Sequence, residues 1–214
     1  MTGLQIPFTG IRKQYSNLRT EILDATDEVL RSGRLMDGNY TAELENWLAK
    51  KNGAKYAVTC QSCTQALEII AEYYATQTYM PRPPRVLIPA MTYVATVNAF
   101  VRAGWAVTIV DTDAYGQMDH KKIDYETSVQ ATVAVGLYGQ SISKHEYLNN
   151  NAIIIEDGAQ HWLSDGCRRI GNVTAISFDP MKNLNSYGNG GAIVTDDVNM
   201  LDFARSWRNN GKPN

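Results

Sequence analysis

The chain of 214 residues contains seven short runs that are mostly apolar and rich in β-branched residues. Strands with one face in water alternate apolar and polar residues, whereas continuous apolar runs are typical of strands buried on both faces. The usual setting for such strands is a parallel sheet that helices cover on both sides. The predicted strands are residues 56–59, 86–89, 107–110, 132–137, 152–156, 173–178 and 192–195.

Amphipathic helical stretches lie between several of these runs, with apolar residues recurring at intervals of three or four. This alternation predicts an α/β protein, a three-layer α/β/α sandwich with a mostly parallel seven-stranded sheet. Only a glycine-rich loop joins the last two strands, so we expect one of them to run antiparallel to the rest. The predicted helices are residues 14–32, 40–51, 62–75, 92–103 and 198–208.

Composition and charge exclude several classes of protein. The net charge of −2 gives no general attraction to nucleic acid or to anionic membranes. No apolar run approaches the roughly 18 residues of a membrane-spanning helix, and residues 1–7 lack the features of a signal peptide. Three cysteines, an odd number, argue against a disulfide framework. We therefore expect a cytoplasmic protein.

Polar side chains cluster where the predicted strands end. In open α/β sheets, ligands bind beyond the carboxyl ends of the strands. If the predicted strands are parallel, these side chains meet at one edge of the sheet, which is harder to obtain by chance than any single motif. The positions concerned are residues 62–64, Tyr93, Asp157, Gln160, Ser177 and Lys182.

The segment Ser62-Cys63-Thr64 opens a predicted helix directly after a strand. Free backbone N–H groups and the positive end of the helix dipole favour a phosphate at such a position. The hydroxyl groups of Thr64 and Ser177 are candidate additional donors. Taken alone, this segment is better explained by Ser62 as an ordinary N-cap residue, because serine is common at that position.

Lys182 and Asp157 each follow a predicted buried strand, and together they suit the binding of an aldehyde cofactor that carries a ring nitrogen. A lysine in an apolar setting loses its proton readily and forms a Schiff base with an aldehyde cofactor. A buried acid needs a partner, and the N–H of a pyridinium ring is a suitable one. The alternatives are a solvated lysine and a structural acid. The glycines at 188, 190 and 191 precede a strand, unlike a dinucleotide fingerprint, which follows one.

Cys60 and Cys63 form a C-x-x-C pattern, which is compatible with a thiol redox pair or with half of a zinc site. No second such pattern exists, and Cys167 lies far away in the sequence. We therefore predict no metal site and keep the thiol or zinc module as the less favoured alternative. The three histidines show no ligand spacing with the pair; they are His120, His145 and His161.

These segments, taken together and in this order, resemble the sugar aminotransferases of the DegT/DnrJ/StrS type, a fold-type-I family that depends on pyridoxal 5′-phosphate. Each segment alone is a weak signal, but the set is specific and runs through almost the whole chain. The matching segments are residues 35–38, 56–58, 62–67, 92–96, 137–140, 156–160, 177–184, 190–192 and 208–211.

The resemblance implies a role for each candidate residue. Lys182 forms the internal aldimine and moves the proton between substrate and cofactor, and Asp157 pairs with the pyridine nitrogen. Gln160 lies near the phenolic oxygen of the cofactor, and Tyr93 stacks on its ring. A lysine at position 182 favours amino transfer over the related dehydrases, which carry histidine there. The residues implied to hold the phosphate are Cys63, Thr64 and Ser177.

The resemblance also implies a substrate class and an assembly. An amino acid such as glutamate donates the amino group, a nucleotide-linked keto sugar accepts it, and the enzyme is a homodimer. Residues 1–214 correspond to the large domain with an N-terminal helical segment, and the small C-terminal domain of the family is missing. The alternative is a truncated or split relative that binds the cofactor, or a separately encoded C-terminal chain, without turnover of its own.

Two residues depart from the family pattern. The family usually has glycine where Cys63 stands, so we expect the side chain to crowd the phosphate. Trp162 replaces the small residue or histidine that is usual at its position, so we expect the substrate side of the pocket to differ.

Overall fold

A computed structural model describes residues 7–77, 79–123, 128–142, 147, 152–164 and 169–212. The chain divides into two compact units, Met1–Leu44 and Glu45–Asn214. The first unit contains helix α1, Ile11–Ser32, which ends at Gly33 in the left-handed conformation. Helix α2, Asn39–Lys51, begins in the first unit and ends in the second.

Within the described ranges, the second unit contains the seven strands and three further α-helices. The strands are β1 Tyr56–Cys60, β2 Arg85–Pro89, β3 Ala106–Val110, β4 Ala131–Val135, β5 Ile153–Asp157, β6 Val173–Ser177 and β7 Gly191–Thr195. The helices are α3 Cys63–Ala75, α4 Val94–Arg102 and α5 Val198–Arg208. All seven predicted strands and all five predicted helices are present, with ends that differ by at most three residues.

The seven strands form one sheet in the order β1-β7-β6-β5-β4-β2-β3. Strand β7 is antiparallel to both of its neighbours, and the other adjacent pairs are parallel. Six strands therefore point the same way, as predicted, and β7 is the exception. The loop of residues 178–190 contains no helix. The chain therefore forms β7 alongside β6 in the opposite direction, without a crossover connection.

Apolar residues on both faces of the sheet are buried, which confirms the prediction from the continuous apolar runs. Val86 and Ile88 belong to the larger core, which includes the buried residues of α3, α4 and α5. Leu87, between them, points to the opposite face and packs in a smaller cluster with Met118 and Tyr147. This alternation is the period of two that a strand imposes on its side chains.

Two predicted strand ends are shifted in a way that affects the candidate site. Strand β4 ends at Val135 instead of residue 137. Tyr138 and Gly139 both adopt positive φ angles, so the chain turns sharply there. Strand β5 continues to Asp157, one residue further than predicted. The carboxylate of Asp157 is therefore fixed to the sheet itself.

Arg208, in the last turn of α5, ties this helix to β1. Its guanidinium donates to the Glu45 carboxylate over 2.9 Å and to the Thr59 carbonyl oxygen over 3.1 Å. Thr59 N–H also donates to Glu45. A buried carboxylate requires such partners.

None of the helices in the described ranges is long and apolar enough to cross a membrane.

Gly191, the first residue of β7, lies directly against the start of α3. A Cβ atom at this position would lie 2.3 Å from the Ser62 carbonyl carbon and 2.6 Å from the Cys63 backbone nitrogen. Both neighbours are backbone atoms and cannot rotate away. A glycine is therefore required for β7 to support the first turn of α3.

We predict that Gly191→Ala displaces α3 from β7 and lowers the free energy of unfolding by ~1–3 kcal/mol, the usual cost of overpacking. Urea denaturation followed by circular dichroism measures this loss. Gly190→Ala is the matched control, because its Cβ would lie no closer than 3.2 Å to its nearest neighbour, the Phe178 Cβ, so a shift of a few tenths of an ångström accommodates it. Equal denaturation midpoints for the two variants would contradict the interpretation.

Candidate active site

A cavity of about 450 Å³ lies at the edge of the sheet where the parallel strands end. Its lining residues come from the segments that follow β1, β2, β4, β5 and β6 and from the residues that precede β7. The structure brings together at this cavity every site residue that the sequence predicted. These residues are Cys63, Thr64, Tyr93, Asp157, Gln160, Ser177 and Lys182.

The first turn of α3 forms one end of the cavity. Ser62 is its N-cap, and its hydroxyl oxygen accepts a hydrogen bond from the Gln65 backbone N–H over 3.1 Å. The ordinary N-cap interpretation of Ser62 is therefore correct. The N–H groups of Cys63 and Thr64, at the start of the helix, have no carbonyl partner within it. Cys63 and Thr64 line the cavity, and N–H groups at the start of a helix favour an anion.

Asp157 is buried at the carboxyl end of β5, with 6% of its surface exposed. One carboxylate oxygen accepts a hydrogen bond from the Thr96 hydroxyl over 2.7 Å, and the other accepts one from the Ala159 N–H over 3.1 Å. In the part of the chain that the structure describes, no cation forms a salt bridge with Asp157. Its negative charge is thus available to a ligand.

Lys182 lies in the loop between β6 and β7, and its backbone N–H donates to the Asp179 carbonyl oxygen over 2.9 Å. The side chain is partly buried and lines the cavity. Burial raises the pKa of the Cys63 thiol well above its ordinary value, the negative charge of Asp157 raises this pKa further, and the positive charge of Lys182 lowers it. Both charges therefore act at the start of α3.

Tyr93 and Gln160 border the cavity on the other side. Tyr93 directly precedes α4, and 70% of its surface is exposed, so its ring is open to a stacking partner. The side-chain oxygen of Gln160 accepts a hydrogen bond from the Tyr138 N–H over 2.7 Å. This bond fixes the amide orientation and leaves the NH₂ group of Gln160 as the donor.

Sequence reasoning missed Thr96, the buried residue of α4 that donates to Asp157. Thr92 and Thr96 are four residues apart, and this spacing places two hydroxyls next to each other at the start of a helix. That spacing was the signal in the sequence from which a role for Thr96 could have been inferred. Its meaning depends on the position of Asp157, which comes 61 residues later in the chain.

Trp162 was predicted to alter the substrate side of the pocket, and the structure places it away from the lining of the cavity. The side chain is buried and makes edge contacts with the rings of Trp47 and Phe178, at centroid distances of 6.0 and 6.1 Å. It is not among the residues that line the cavity. A large apolar side chain gains more from this packing than from exposure at the cavity surface.

The two described cysteines do not have the properties of a redox or zinc site. Burial raises the pKa of Cys60 to about 12, so its thiol stays protonated. Its Sγ donates to the Ser62 carbonyl oxygen over 3.3 Å. Within the described residues, no group of three or more candidate ligands is arranged to hold a metal ion. Cys167 and His145 lie outside the described residues.

The sequence matches the profile of the DegT/DnrJ/EryC1/StrS aminotransferase family over residues 16–214. It is 30% identical over 220 residues to a pleiotropic regulatory protein of Geobacillus stearothermophilus, covering 97% of this chain and 58% of the relative. It is 31% identical over 223 residues to the UDP-2-acetamido-2-deoxy-3-oxo-D-glucuronate aminotransferase of Pseudomonas aeruginosa, covering 97% of this chain and 60% of the relative.

The fold is similar to that of solved aminotransferases. The structure of DesV from S. venezuelae in complex with a ketimine intermediate matches with a TM-score of 0.88 and 27% identity, covering 98% of this chain and 58% of DesV. NtdA from Bacillus subtilis with bound cofactor PMP matches with a TM-score of 0.81 and 26% identity, covering 96% of this chain and 48% of NtdA. The chain thus spans about 60% or less of the length of these relatives. It belongs to the DegT/DnrJ/EryC1/StrS aminotransferase family.

Proposed function

We propose that this chain is the cofactor-binding part of a pyridoxal 5′-phosphate-dependent aminotransferase. The observation that carries the proposal is the convergence, in one cavity, of a lysine amine, a buried carboxylate and the N–H groups at a helix start. Among the described residues, no cation pairs with that carboxylate. These groups match the aldehyde, the ring nitrogen and the phosphate of the cofactor.

The spacing of these groups also fits the cofactor. The start of α3 lies against β7, and Asp157 ends β5, with only β6 between these two strands. Two strand spacings amount to roughly 10 Å. This separation suits a molecule that carries an anionic group on a short arm at one end and a protonated ring nitrogen at the other.

The residues present supply a donor or acceptor for each part of the cofactor. Asp157 accepts the ring N–H, and Tyr93 offers its exposed ring for stacking. The NH₂ group of Gln160 is the donor available to the phenolic oxygen. The residues that border the phosphate end are Cys63, Thr64 and Ser177, through backbone N–H groups at 63 and 64 and hydroxyl groups at 64 and 177.

The bound cofactor supplies an aldehyde and an electron-withdrawing ring, and the chain supplies the proton transfer. In this proposal, the Lys182 amine would hold the proton that moves between the substrate and the cofactor. Asp157 keeps the ring nitrogen protonated through its negative charge. The nearby thiol of Cys63 stays neutral because burial raises its pKa, so it does not compete with the lysine as a nucleophile.

We further propose a nucleotide-linked keto sugar as the amino acceptor and an amino acid such as glutamate as the donor. The relatives support this class, since they include a dTDP-3-amino-3,4,6-trideoxy-α-D-glucose transaminase of Streptomyces venezuelae that is 31% identical over 222 residues.

A homodimer is part of the same proposal. The exposed aromatic rings of Tyr93 and Tyr138 near the cavity are consistent with a surface that a second copy covers.

A second candidate function is binding of the cofactor, or of a separately encoded C-terminal chain, without independent turnover. The chain spans 58% of the length of the first relative.

The proposed function predicts that purified protein incubated with pyridoxal phosphate gains a visible absorption band and, after borohydride treatment, a covalent adduct on Lys182. Lys182→Ala should abolish the adduct while the α3 and Asp157 contacts retain part of the affinity. Peptide mass spectrometry locates the adduct, and Lys55→Ala, far from the cavity lining, is the matched control. An adduct that persists elsewhere in Lys182→Ala would refute the assignment.

Turnover separates the two candidate functions. If the chain is active alone, glutamate should bleach the absorption band and a keto sugar nucleotide should restore it, with repeated cycles in steady state. If it is a split relative, glutamate at most bleaches the band once and no sugar product accumulates. Chromatographic detection of the aminated sugar nucleotide over many enzyme equivalents decides the question.

A further inference from the structure

A buried chain of two hydroxyl groups leads to the Asp157 carboxylate. The Thr96 hydroxyl donates to Asp157 Oδ2 over 2.7 Å, and the Thr92 hydroxyl oxygen lies 2.7 Å from the Thr96 hydroxyl oxygen. A hydroxyl group has only one proton to donate. Because Thr96 gives its proton to the carboxylate, Thr92 must be the donor to Thr96, and the direction of the whole chain is fixed.

The two threonines come from a different part of the fold than the strand they support. Thr92 lies just before α4 and Thr96 in its first turn, after β2, whereas Asp157 ends β5. Thr96 is fully buried, and Thr92 is partly buried. Threonine in the first turns of a helix usually bonds to the backbone of its own helix. Here the Thr96 hydroxyl bonds instead to a buried acid of another element.

The carboxylate is left with unused acceptor positions. An ionised carboxylate offers about four lone-pair sites, and in the described residues Thr96 and the Ala159 N–H use one on each oxygen. Asp157 lines the cavity, where the remaining positions are available to a ligand. Hydroxyl chains strengthen one another's hydrogen bonds in a low-dielectric interior, so Thr92 polarises Thr96 toward the carboxylate.

We propose that Thr96, backed by Thr92, is a positioning residue that holds the Asp157 carboxylate in the orientation in which it accepts the N–H of a protonated ring nitrogen. This proposal rests on the proposed function. Thr96 touches no ligand itself and acts through Asp157. Its contribution is therefore specific to the ring nitrogen and does not extend to the phosphate end or to Lys182.

The test compares two ligands that differ at one atom. Pyridoxal phosphate carries the ring nitrogen, and its 1-deaza analogue carries a C–H group there. Dissociation constants for both, measured by tryptophan fluorescence of apoprotein, are compared for wild type, Thr96→Val, Thr96→Ser and Thr92→Val. Thr96→Val should weaken binding of pyridoxal phosphate roughly tenfold or more, the usual loss for a hydrogen bond to a charged group. Affinity for the analogue should change by less than about twofold.

Two further variants distinguish positioning from packing. Thr96→Ser restores the hydroxyl and should recover most of the affinity for pyridoxal phosphate. Thr92→Val, at a partly buried position, should give a smaller loss, and the Thr92→Val, Thr96→Val double variant should bind like Thr96→Val alone, because the relay acts only through Thr96. Thr92→Val also keeps the comparison informative if valine at position 96 prevents folding.

Several outcomes would overturn the proposal. An equal loss of affinity for both ligands in Thr96→Val would show general damage to the cavity, and unchanged affinity for both would show that the hydroxyl has no role. Additive effects of the two valine substitutions would exclude a relay. If wild-type protein binds neither ligand, the proposed function itself fails and the positioning role fails with it.

Discussion

The candidate site depends on six parallel strands that end at one edge of the sheet. Parallel strands bring the segments after them together, whatever their separation along the chain. This geometry places the start of α3 after β1, Asp157 at the end of β5 and Lys182 after β6 around one cavity. The antiparallel strand β7 completes the arrangement, because Gly191 lets its backbone support the first turn of α3.

The electrostatic character of the cavity follows from how Asp157 is satisfied. A buried carboxylate needs partners, and in the described structure Asp157 has a hydroxyl and a backbone N–H but no cation. Glu156, the preceding residue, has opposite surroundings. Burial alone would raise its pKa, but the hydrogen bond and charge of His161 and two backbone N–H donors outweigh burial and lower it. The charge of Glu156 is thus compensated by partners inside the fold, whereas in the described structure no cation compensates Asp157.

Much of the fold was predictable because its signals are local. Apolar runs gave the seven strands, the glycine-rich loop at 188–191 indicated the reversed strand, and motif order identified the family, which the family profile confirms. The positions of the predicted site residues follow from the same reasoning, since each directly follows or ends a strand. Their chemical roles remain predictions, as does the assignment of residues 1–214 to a large domain.

The features that were missed depend on contacts between distant segments. The hydrogen bond from Thr96 to Asp157 becomes recognisable only when α4 is placed beside β5, and no local pattern specifies that contact. Trp162 was assigned to the pocket from its place in a motif, but it packs against Trp47, which lies more than a hundred residues earlier. The close approach of Gly191 to Ser62 is likewise invisible in the sequence, where the glycine reads as ordinary turn chemistry.

The central claim is that one cavity holds the ring nitrogen, aldehyde carbon and phosphate of pyridoxal phosphate at three separate groups of this chain. The most direct measurement is a crystal structure of the protein grown with the cofactor. The account predicts continuous density from Lys182 Nζ to the cofactor, an Asp157 oxygen within hydrogen-bond distance of the ring nitrogen, and the phosphate at the N–H groups of Cys63 and Thr64. A cofactor bound elsewhere, or one in this cavity with its phosphate beside Asp157, would contradict it.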